Sequence, residues 1–368
     1  GGLAGRPLQL LLLDDHDDPD QARAAADQAA AAPDVVGVVG HWSDATADAA
    51  APLYRAHQLP AVSPAAQNEP PAAPSAAAAE PWLVRNTFGR TFELRFLANY
   101  VRNVIGEKTV SIIHPAGAAG EAEARTIDEV LQRFGTKVVY RWDYDPAAPD
   151  LATTRLPTLA ADVADKKLIG VIVVLGQPEP AAQVLAALRQ AGVRNRVAGP
   201  RELATAAFRS ALAQAWPSTG KGSAEAALNG TLTTTPLLFD TAGELAQGFR
   251  NGFLGEHRGT PDWLAGAGFD AARLLVQSLG KLPKGTLPPT PELRQRLHQS
   301  LLALNGQPRL YQGLMGPVAL DAQGTAAPPA LVGTYEGTEL IAALTQLSPI
   351  REENVGNYLD ELVAGRAL

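Results

Sequence analysis

The sequence predicts an α/β protein made of two lobes, each built around a parallel sheet. Two apolar runs, residues 35–39 and 168–174, carry β-branched side chains on both faces, which is typical of strands covered on both sides. Residues 108–197 alternate between short apolar runs and helical stretches, and this alternation favours a parallel sheet flanked by helices. A chain of 368 residues is long enough for two separate cores.

Turn residues mark the boundaries of the predicted strands and helices. Apolar runs end in polar or glycine-containing turns, and alanine-rich or amphipathic stretches follow. The predicted strands are 8–13, 35–39, 59–62, 82–85, 109–114, 137–142, 168–175, a short segment at 197 and 330–336. The predicted helices are 21–32, 91–105, 121–134, 153–164, 180–191, 244–254, 263–279 and 292–303. A loop is predicted at 67–81, and residues 348–368 are expected to form a linker or a docked helix.

The stretch 35–64 organises the rest of the chain. Its first strand ends at Gly40, and a polar turn then leads into a helix that is predicted to end near Arg55, with Ser43 or Asp44 as the N-cap. The second strand, 59–62, closes on a Ser-Pro turn. Ligands of open α/β sheets bind outside the carboxyl ends of the strands, so the turns 43–46 and 63–67 are the first candidates for a binding site.

Composition narrows the class of partner. The net charge of -7 and the isoelectric point near 5.5 argue against a nucleic-acid partner, which would require a basic surface. The absence of cysteine excludes a disulfide framework and thiolate chemistry. No apolar run approaches the ~18 residues of a membrane span, and no signal peptide opens this chain. No dinucleotide or phosphate-loop motif is present, so no cofactor is predicted.

Enzymatic and metal-binding alternatives find little support. The nearest match to a G-x-S-x-G nucleophile turn, at residues 40–44, lacks the second glycine. The six histidines show no metal-ligand spacing, so no metal is predicted. The acidic cluster 14–18 is interpreted as a solvated strand end, with Asp18 or Asp20 near a helix N-terminus, rather than as a metal site. The glycines at 117 and 120 indicate a turn between strand and helix more than an anion cradle.

The order of these motifs resembles the leucine/isoleucine/valine-binding family of type I periplasmic binding proteins. The matching text is VVGHWSDAT, PLY, QLP and AVSPAA, followed by AGFDAA at the start of a later helix. The resemblance implies two Rossmann-like lobes with parallel sheets, joined by about three crossings. It also implies a strand and a helix before residue 8, which are missing from this chain and are expected in a longer parent or in another chain.

The resemblance divides the chain at particular residues. The N-terminal lobe is expected to comprise 1–86 and 237–312, and the C-terminal lobe 87–236 and 313–349, with 350–368 as a tail. Ligand-binding positions carried over from the family, together with neighbouring candidates at strand ends, are Trp42, Ser43, Asp44, Thr46, Ala65, Gln67, His114, Ala119, Gln177, Arg201 and Phe269.

Several of these positions depart from the family pattern. Gln67 stands where the family has threonine, and Ala119 and Gln177 stand near the positions where the family has tyrosines. Arg201 stands near the position where the family has an acidic residue that holds the ammonium group of the ligand. An arginine suits a carboxylate, so a small polar ligand other than a branched-chain amino acid is expected. The alternatives are that Arg201 is a solvated surface residue, that Trp42 belongs to the core, and that the polar contacts of His114 are already satisfied within the fold.

The function that the resemblance implies is solute binding. Such a protein is exported to the periplasm or outside the cell and captures a small ligand between its lobes. It passes that ligand to the permease of an ABC transporter or signals to a downstream domain. The alternative is an interaction or regulatory domain that keeps the fold without a ligand.

Overall fold

The computed structural model describes residues 7–68, 80–216, 222–280, 289–304, 311–321 and 323–347. The chain divides into two compact units, Gly1–Arg90 with Leu264–Pro329, and Thr91–Trp263 with Ala330–Leu368. It passes between the units three times, the number that the resemblance implies. The stretch 237–263 belongs to the second unit and 313–329 to the first, so these divisions fall at other residues than the predicted lobe boundaries.

The elements alternate as the sequence predicts. The strands are β1 (Val38–Val39), β2 (Ala61–Ser63), β3 (Leu83–Arg85), β4 (Thr109–Pro115), β5 (Lys137–Tyr144), β6 (Val171–Val174), β7 (Val197–Gly199), β8 (Leu232–Thr235), β9 (Gln312–Gly313), β10 (Gly316–Pro317), β11 (Leu331–Glu336) and β12 (Glu339–Ala342). The helices are α1 (Pro19–Ala31), α2 (Asp44–Ala56), α3 (Arg90–Tyr100), α4 (Ala118–Arg133), α5 (Leu156–Asp165), α6 (Pro178–Gln190), α7 (Ala206–Ala215), α8 (Ala224–Leu228), α9 (Glu244–Glu256), α10 (Trp263–Gly280) and α11 (Thr290–Leu302). Single π-helical turns extend α3 at Val101–Ile105 and precede α5 at Leu151–Arg155.

Local capping explains where the first helices begin. The Asp18 side chain accepts hydrogen bonds from the amides of Asp20 and Gln21 at the start of α1, and Ser43 accepts one from the amide of Thr46 at the start of α2. These bonds satisfy amides that have no partner within the helix. The predicted N-cap at Ser43 is therefore confirmed, as is the position of Asp18 at a helix N-terminus.

The first unit contains a parallel three-stranded sheet in the order β1-β2-β3. Alternate residues of each strand point to opposite faces. Ala61 and Leu83 pack with the alanines of α1 and α2, whereas Val62 and Val84 pack with α10 and α11. Helices therefore cover both faces of this sheet, and the carboxyl ends of its strands meet at one edge.

Residues 8–13, which are predicted to be a strand, do not form one; this prediction is wrong. A strand is stabilised by the hydrogen bonds of a neighbouring strand, and none pairs with this run among the described residues. Leu10 is 83% exposed and Leu12 80% exposed. The expected missing strand remains a prediction.

Because these leucines bury little surface, replacing both Leu10 and Leu12 by serine is expected to change the free energy of unfolding by less than about 0.5 kcal/mol. Urea unfolding of the double variant measures this. A matched change of the buried Leu59, which packs in the core beside α2, to serine is expected to cost at least about 3 kcal/mol. A comparable loss from both variants would contradict the exposure of residues 8–13.

The second unit contains a seven-stranded sheet in the order β12-β11-β8-β7-β6-β4-β5. The strands from β8 to β5 are parallel, and β11 and β12 are antiparallel additions. Along β6, Ile172 and Val174 face a core formed with α5, α6 and α7, whereas Val171 and Val173 face a second core formed with α3 and α4. The prediction of a strand buried on both sides is confirmed here.

The boundaries of some elements differ from the prediction. β6 begins at Val171 rather than at residue 168, because Leu168 and Gly170 adopt positive φ angles of 59° and 70° that no strand accommodates. The helices α7 and α8 and the strands β8, β9, β10 and β12 were not predicted. Most of the predicted loop 67–81, and the whole of 348–368, lie outside the described residues. No described helix combines the length and the apolar character needed to cross a membrane.

Candidate functional site

The loops that follow β1 and β2 lie side by side in the first unit. The amide of Gly40 donates to the carbonyl of Val62 at 3.0 Å. The Ser63 hydroxyl donates to the carbonyl of His41 at 2.7 Å and accepts from the amide of Ala66 at 3.0 Å. The two turns selected as candidate site segments are thus joined at the carboxyl edge of the sheet.

Asp44 ties the second loop to the start of α2. One carboxylate oxygen, Oδ1, accepts from the amides of Gln67 and Asn68, the latter at 2.8 Å. One helical turn later, Asp48 accepts from the side chain of Asn68 at 3.0 Å and pairs with Arg85 at 3.1 Å. Two acidic residues of α2 therefore hold this loop. Asp48 and Arg85 were missed, although the spacing of Asp44 and Asp48 places both on one helix face.

The remaining predicted ligand-binding residues in the loops after β1 and β2 are largely buried or hydrogen-bonded within the loops. The Ser43 and Thr46 hydroxyls lie 2.8 Å apart, and Thr46 is buried beneath the turn. Ala65 and Gln67 are also buried. These residues shape the strand ends, and their contact with a ligand remains a prediction.

Trp42 is not a core residue, because it is 53% exposed. Its indole ring lies against the first turns of α10: a Cβ atom at Gly268 would be 3.0 Å from Cη2 of the indole. Phe269, the next residue, is 37% exposed. Both aromatic side chains are therefore partly accessible to solvent, and Trp42 belongs to the loop that carries Ser43 and Asp44.

A buried histidine supports this loop. The Nδ1 atom of His41 lies 2.5 Å from the Asp15 carboxylate, and Nε2 lies 2.8 Å from the Tyr54 hydroxyl. Burial and the nearby Asp15 charge raise the pKa of Tyr54 well above its ordinary range, so the hydroxyl keeps its proton. The imidazole of His41 is thus hydrogen-bonded at both ring nitrogens, to Asp15 and to Tyr54. No group of three metal-ligating side chains is arranged to hold an ion among the residues that the structure describes.

The predicted positions of the second unit follow neighbouring strands. His114 is the penultimate residue of β4, Gln177 follows β6 and Arg201 follows β7, and these strands are adjacent in the sheet. His114 is buried, with Nδ1 2.9 Å from the Pro115 carbonyl and Nε2 3.7 Å from Glu121. Gln177 and Ala119 are exposed at the starts of α6 and α4. Their binding roles remain predictions.

Gly117 and Gly120 occupy the turn between β4 and α4. Gly117 has a φ of 99°, and a Cβ at Gly120 would lie 2.0 Å from the Pro115 carbonyl oxygen. Both glycines are thus needed for the backbone of this turn.

Arg201 is fully buried, which excludes the interpretation of a solvated surface residue. Its Nε atom lies 3.7 Å from the buried carboxylate of Glu93, and its guanidinium carbon lies 4.8 Å from the centre of the Trp263 ring. Glu93 also accepts from the Arg201 amide at 2.8 Å and from the Thr234 hydroxyl at 2.5 Å. The charge of Arg201 is balanced inside the second unit, which weakens the argument for a ligand carboxylate.

Asp270 is a buried carboxylate one residue after Phe269. It accepts from the amides of Leu314 at 2.8 Å and Met315 at 3.2 Å. Burial raises its pKa to about 6, although these amides and the charge of Arg273 act in the opposite direction. Proton binding is therefore stronger in the folded chain than in the unfolded chain.

This shift predicts a pH dependence of stability. Protonated Asp270 favours the folded state, so its contribution is complete below pH ~4 and is lost as the pH rises through about 6, by about 2 to 3 kcal/mol. Urea unfolding of the parent and of Asp270→Asn between pH 3.5 and 7.5 isolates this effect. The free energy of unfolding of Asp270→Asn is expected to increase relative to that of the parent as the pH rises. A difference independent of pH would contradict the raised pKa.

The sequence of this chain is similar to those of periplasmic binding proteins, which agrees with the α/β architecture described above. The sequence pattern of the periplasmic binding protein family matches residues 1–338. The Leu/Ile/Val-binding protein of Escherichia coli K12 is 26% identical over 205 residues, and the Leu/Ile/Val/Thr-binding protein of Salmonella typhimurium is 27% identical over 205 residues. Each alignment covers 55% of this chain and 53% of the relative, so the chain matches about half the length of these curated relatives.

Solved structures share the fold at lower identity. A branched-chain amino acid transporter substrate-binding protein from Streptococcus pneumoniae, in complex with isoleucine, superposes with a TM-score of 0.75 at 16% identity, covering 95% of this chain and 90% of that one. A solute-binding protein from R. palustris in complex with benzoate gives 0.74 at 18% identity, covering 95% and 88%. The predicted α/β architecture and the family resemblance are both confirmed, and the chain belongs to the periplasmic binding protein family.

Proposed function

We propose that this chain is an exported solute-binding protein that captures a small polar ligand for an ABC transporter or a receptor. The observation that carries the proposal is the pair of adjoining loops at the carboxyl edge of the first sheet. Trp42 and Asp44 remain accessible to solvent there, at a location where open α/β sheets bind ligands. The family membership supports the same role, as does the binding of amino acids and benzoate by structural neighbours.

A branched-chain amino acid is not the proposed ligand. Its carboxylate would require free hydrogen-bond donors at the strand ends. The amides of Gln67 and Asn68 already donate to Asp44. The position of Asp44 therefore supports a ligand other than leucine, isoleucine or valine.

Catalysis is not part of the proposal. Asp15 and His41 form the kind of pair that orients a catalytic base, but the other ring nitrogen of His41 is bonded to the Tyr54 hydroxyl. Tyr54 is buried and its pKa is raised, so it is a poor nucleophile at neutral pH. This arrangement supports a structural role for the pair.

A thermal-shift screen tests the proposal. The panel contains leucine, isoleucine, valine and benzoate, together with small amines, organic acids and neutral solutes. At least one solute outside the three branched-chain amino acids is expected to raise Tm, since ligand at a hundredfold excess over Kd stabilises by about 2.7 kcal/mol. Stabilisation by leucine alone would overturn the proposed ligand class.

The second candidate function is an interaction or regulatory domain without a ligand. It is favoured by the hydrogen bonds that Ser43, Thr46 and one oxygen of Asp44 already make within the loops. A panel in which no solute raises Tm would support this candidate. It would also overturn solute capture.

A further inference from the structure

We infer that the strand-end site of the first unit takes an organic cation, with its positive group on Asp44 and an apolar body against Trp42. This inference rests on the proposed function of solute capture and specifies the charge of the solute. The cationic ligand replaces the carboxylate-bearing ligand that was expected from the sequence. Three features of the site support this inference.

The first feature is an unbalanced negative charge. Oδ1 of Asp44 accepts from two backbone amides, which are neutral and supply no balancing positive charge. Within the described ranges, its second oxygen accepts no hydrogen bond and no arginine or lysine forms an ion pair with it. The neighbouring Asp48 differs, because Arg85 lies 3.1 Å from it. Asp44 is only partly buried, so an ammonium group can approach its free oxygen.

The second feature is that two loop amides, which could donate hydrogen bonds to an anion, already donate to Asp44. The amides of Gln67 and Asn68 point at the carboxylate of Asp44 rather than at solvent. A ligand carboxylate at this place would meet the like charge of Asp44, and the amides of Gln67 and Asn68 already donate to that carboxylate. Like charges at contact distance cost several kcal/mol, so the loop selects against anions.

The third feature is an aromatic surface beside that charge. Trp42 stands two residues before Asp44, and its ring lies against the backbone of α10 at Gly268, where a Cβ atom would be 3.0 Å from the indole. The ring is held in place but is 53% exposed. A cation over an indole face gains about 0.5 to 2 kcal/mol. An accessible indole two residues before an acidic residue that forms no ion pair within the described ranges therefore matches an amine with an apolar body.

Arg201 does not oppose this assignment. It is the arginine on which the expectation of a carboxylate depended, but it lies in the second unit and is fully buried against Glu93 and Trp263. Its charge is committed to the fold. The overall net charge of -7 also favours the approach of a cation.

Isothermal titration with three probes of similar shape tests the inference. The probes are 2-phenylethylamine, 2-phenylethanol and 3-phenylpropionate, which are cationic, neutral and anionic at pH 7. The amine is expected to bind at least tenfold more tightly than the carboxylate. Asp44→Asn keeps an oxygen for the loop amides but removes the charge, so it is expected to weaken amine binding at least tenfold and leave the alcohol unchanged.

Two further variants separate binding from folding. Trp42→Ala is expected to weaken the binding of both amine and alcohol with little change in Tm, because the ring is largely exposed. Asp34→Asn removes an equal charge from an exposed position between α1 and β1 and is expected to change nothing. Circular dichroism of each variant checks that the fold is retained.

The outcomes distinguish the inference from the proposed function. Binding of 3-phenylpropionate in preference to the amine would overturn the inference and leave solute capture intact. The same holds if none of the three probes binds but an uncharged or anionic solute raises Tm in the screen. If a different amine raises Tm, loss of its binding in Asp44→Asn supports the inference, and unchanged binding overturns it. Failure of every solute would overturn solute capture itself.

Discussion

Replacing Arg201 by methionine is expected to lower the free energy of unfolding by about 3 to 5 kcal/mol, because the change removes one member of a fully buried pair of opposite charges, Arg201 and Glu93. Methionine fills a similar volume, so the loss reports on charge more than on packing. The Arg201 amide and the Thr234 hydroxyl still donate to Glu93 in the variant, but neither carries a positive charge. Urea unfolding, monitored by circular dichroism, measures the effect.

A double variant and a surface control sharpen this test. Combining Arg201→Met with Glu93→Gln removes both charges, so the double variant is expected to be more stable than Arg201→Met alone. Arg155→Met breaks an exposed pair with Asp150 and is expected to leave the unfolding midpoint unchanged. Equal losses from Arg155→Met and Arg201→Met would contradict the buried pair.

Replacing Gly170 by alanine is expected to cost about 2 to 5 kcal/mol. Residue 170 has a φ of 70°, and a Cβ there would lie 1.8 Å from the carbonyl oxygen of Thr109. The left-handed backbone costs an alanine about 1 to 2 kcal/mol, and relief of the overlap adds about 1 to 3. The Thr109 oxygen belongs to the backbone at the start of β4, so the strand itself must move.

Gly192→Ala is the matched control, because its φ of 84° is similar and no atom lies within 4 Å of its Cβ position. It is expected to cost only about 1 to 2 kcal/mol, the backbone contribution by itself. The difference between the two variants in urea unfolding gives the cost of the overlap. Equal losses would show that β4 and Gly170 are not in close approach.

Local signals explain which parts of the fold the sequence could predict. The Ser43 cap depends on atoms within three residues, and the buried strand Val171–Val174 depends on its own side chains. Residues 8–13 carry an equally apolar pattern and yet form no strand. Their pattern was sufficient for the prediction, but a strand also requires a neighbour, which lies outside the local sequence.

The candidate site was predicted only in part, for the same reason. Trp42, Ser43, Asp44 and Gln67 were selected because they follow strands, and their loops do adjoin. The contact of Asp44 with the amides of residues 67 and 68 reaches across 23 and 24 residues, and Glu93 lies 108 residues before Arg201. No local pattern encodes such pairs, so the inference of a cationic ligand could not be drawn from the sequence.

By itself, the sequence determined the alternation of strands and helices and the caps that begin the first helices, because short-range sterics and hydrogen bonds set these features. The order of its motifs also indicated the family of the chain. Only the tertiary structure decided which charges are balanced. It paired Arg201 with Glu93 inside the second unit and left Asp44 beside an accessible indole in the first. Electrostatic energy depends on distance and burial, and both are defined only when remote segments pack together.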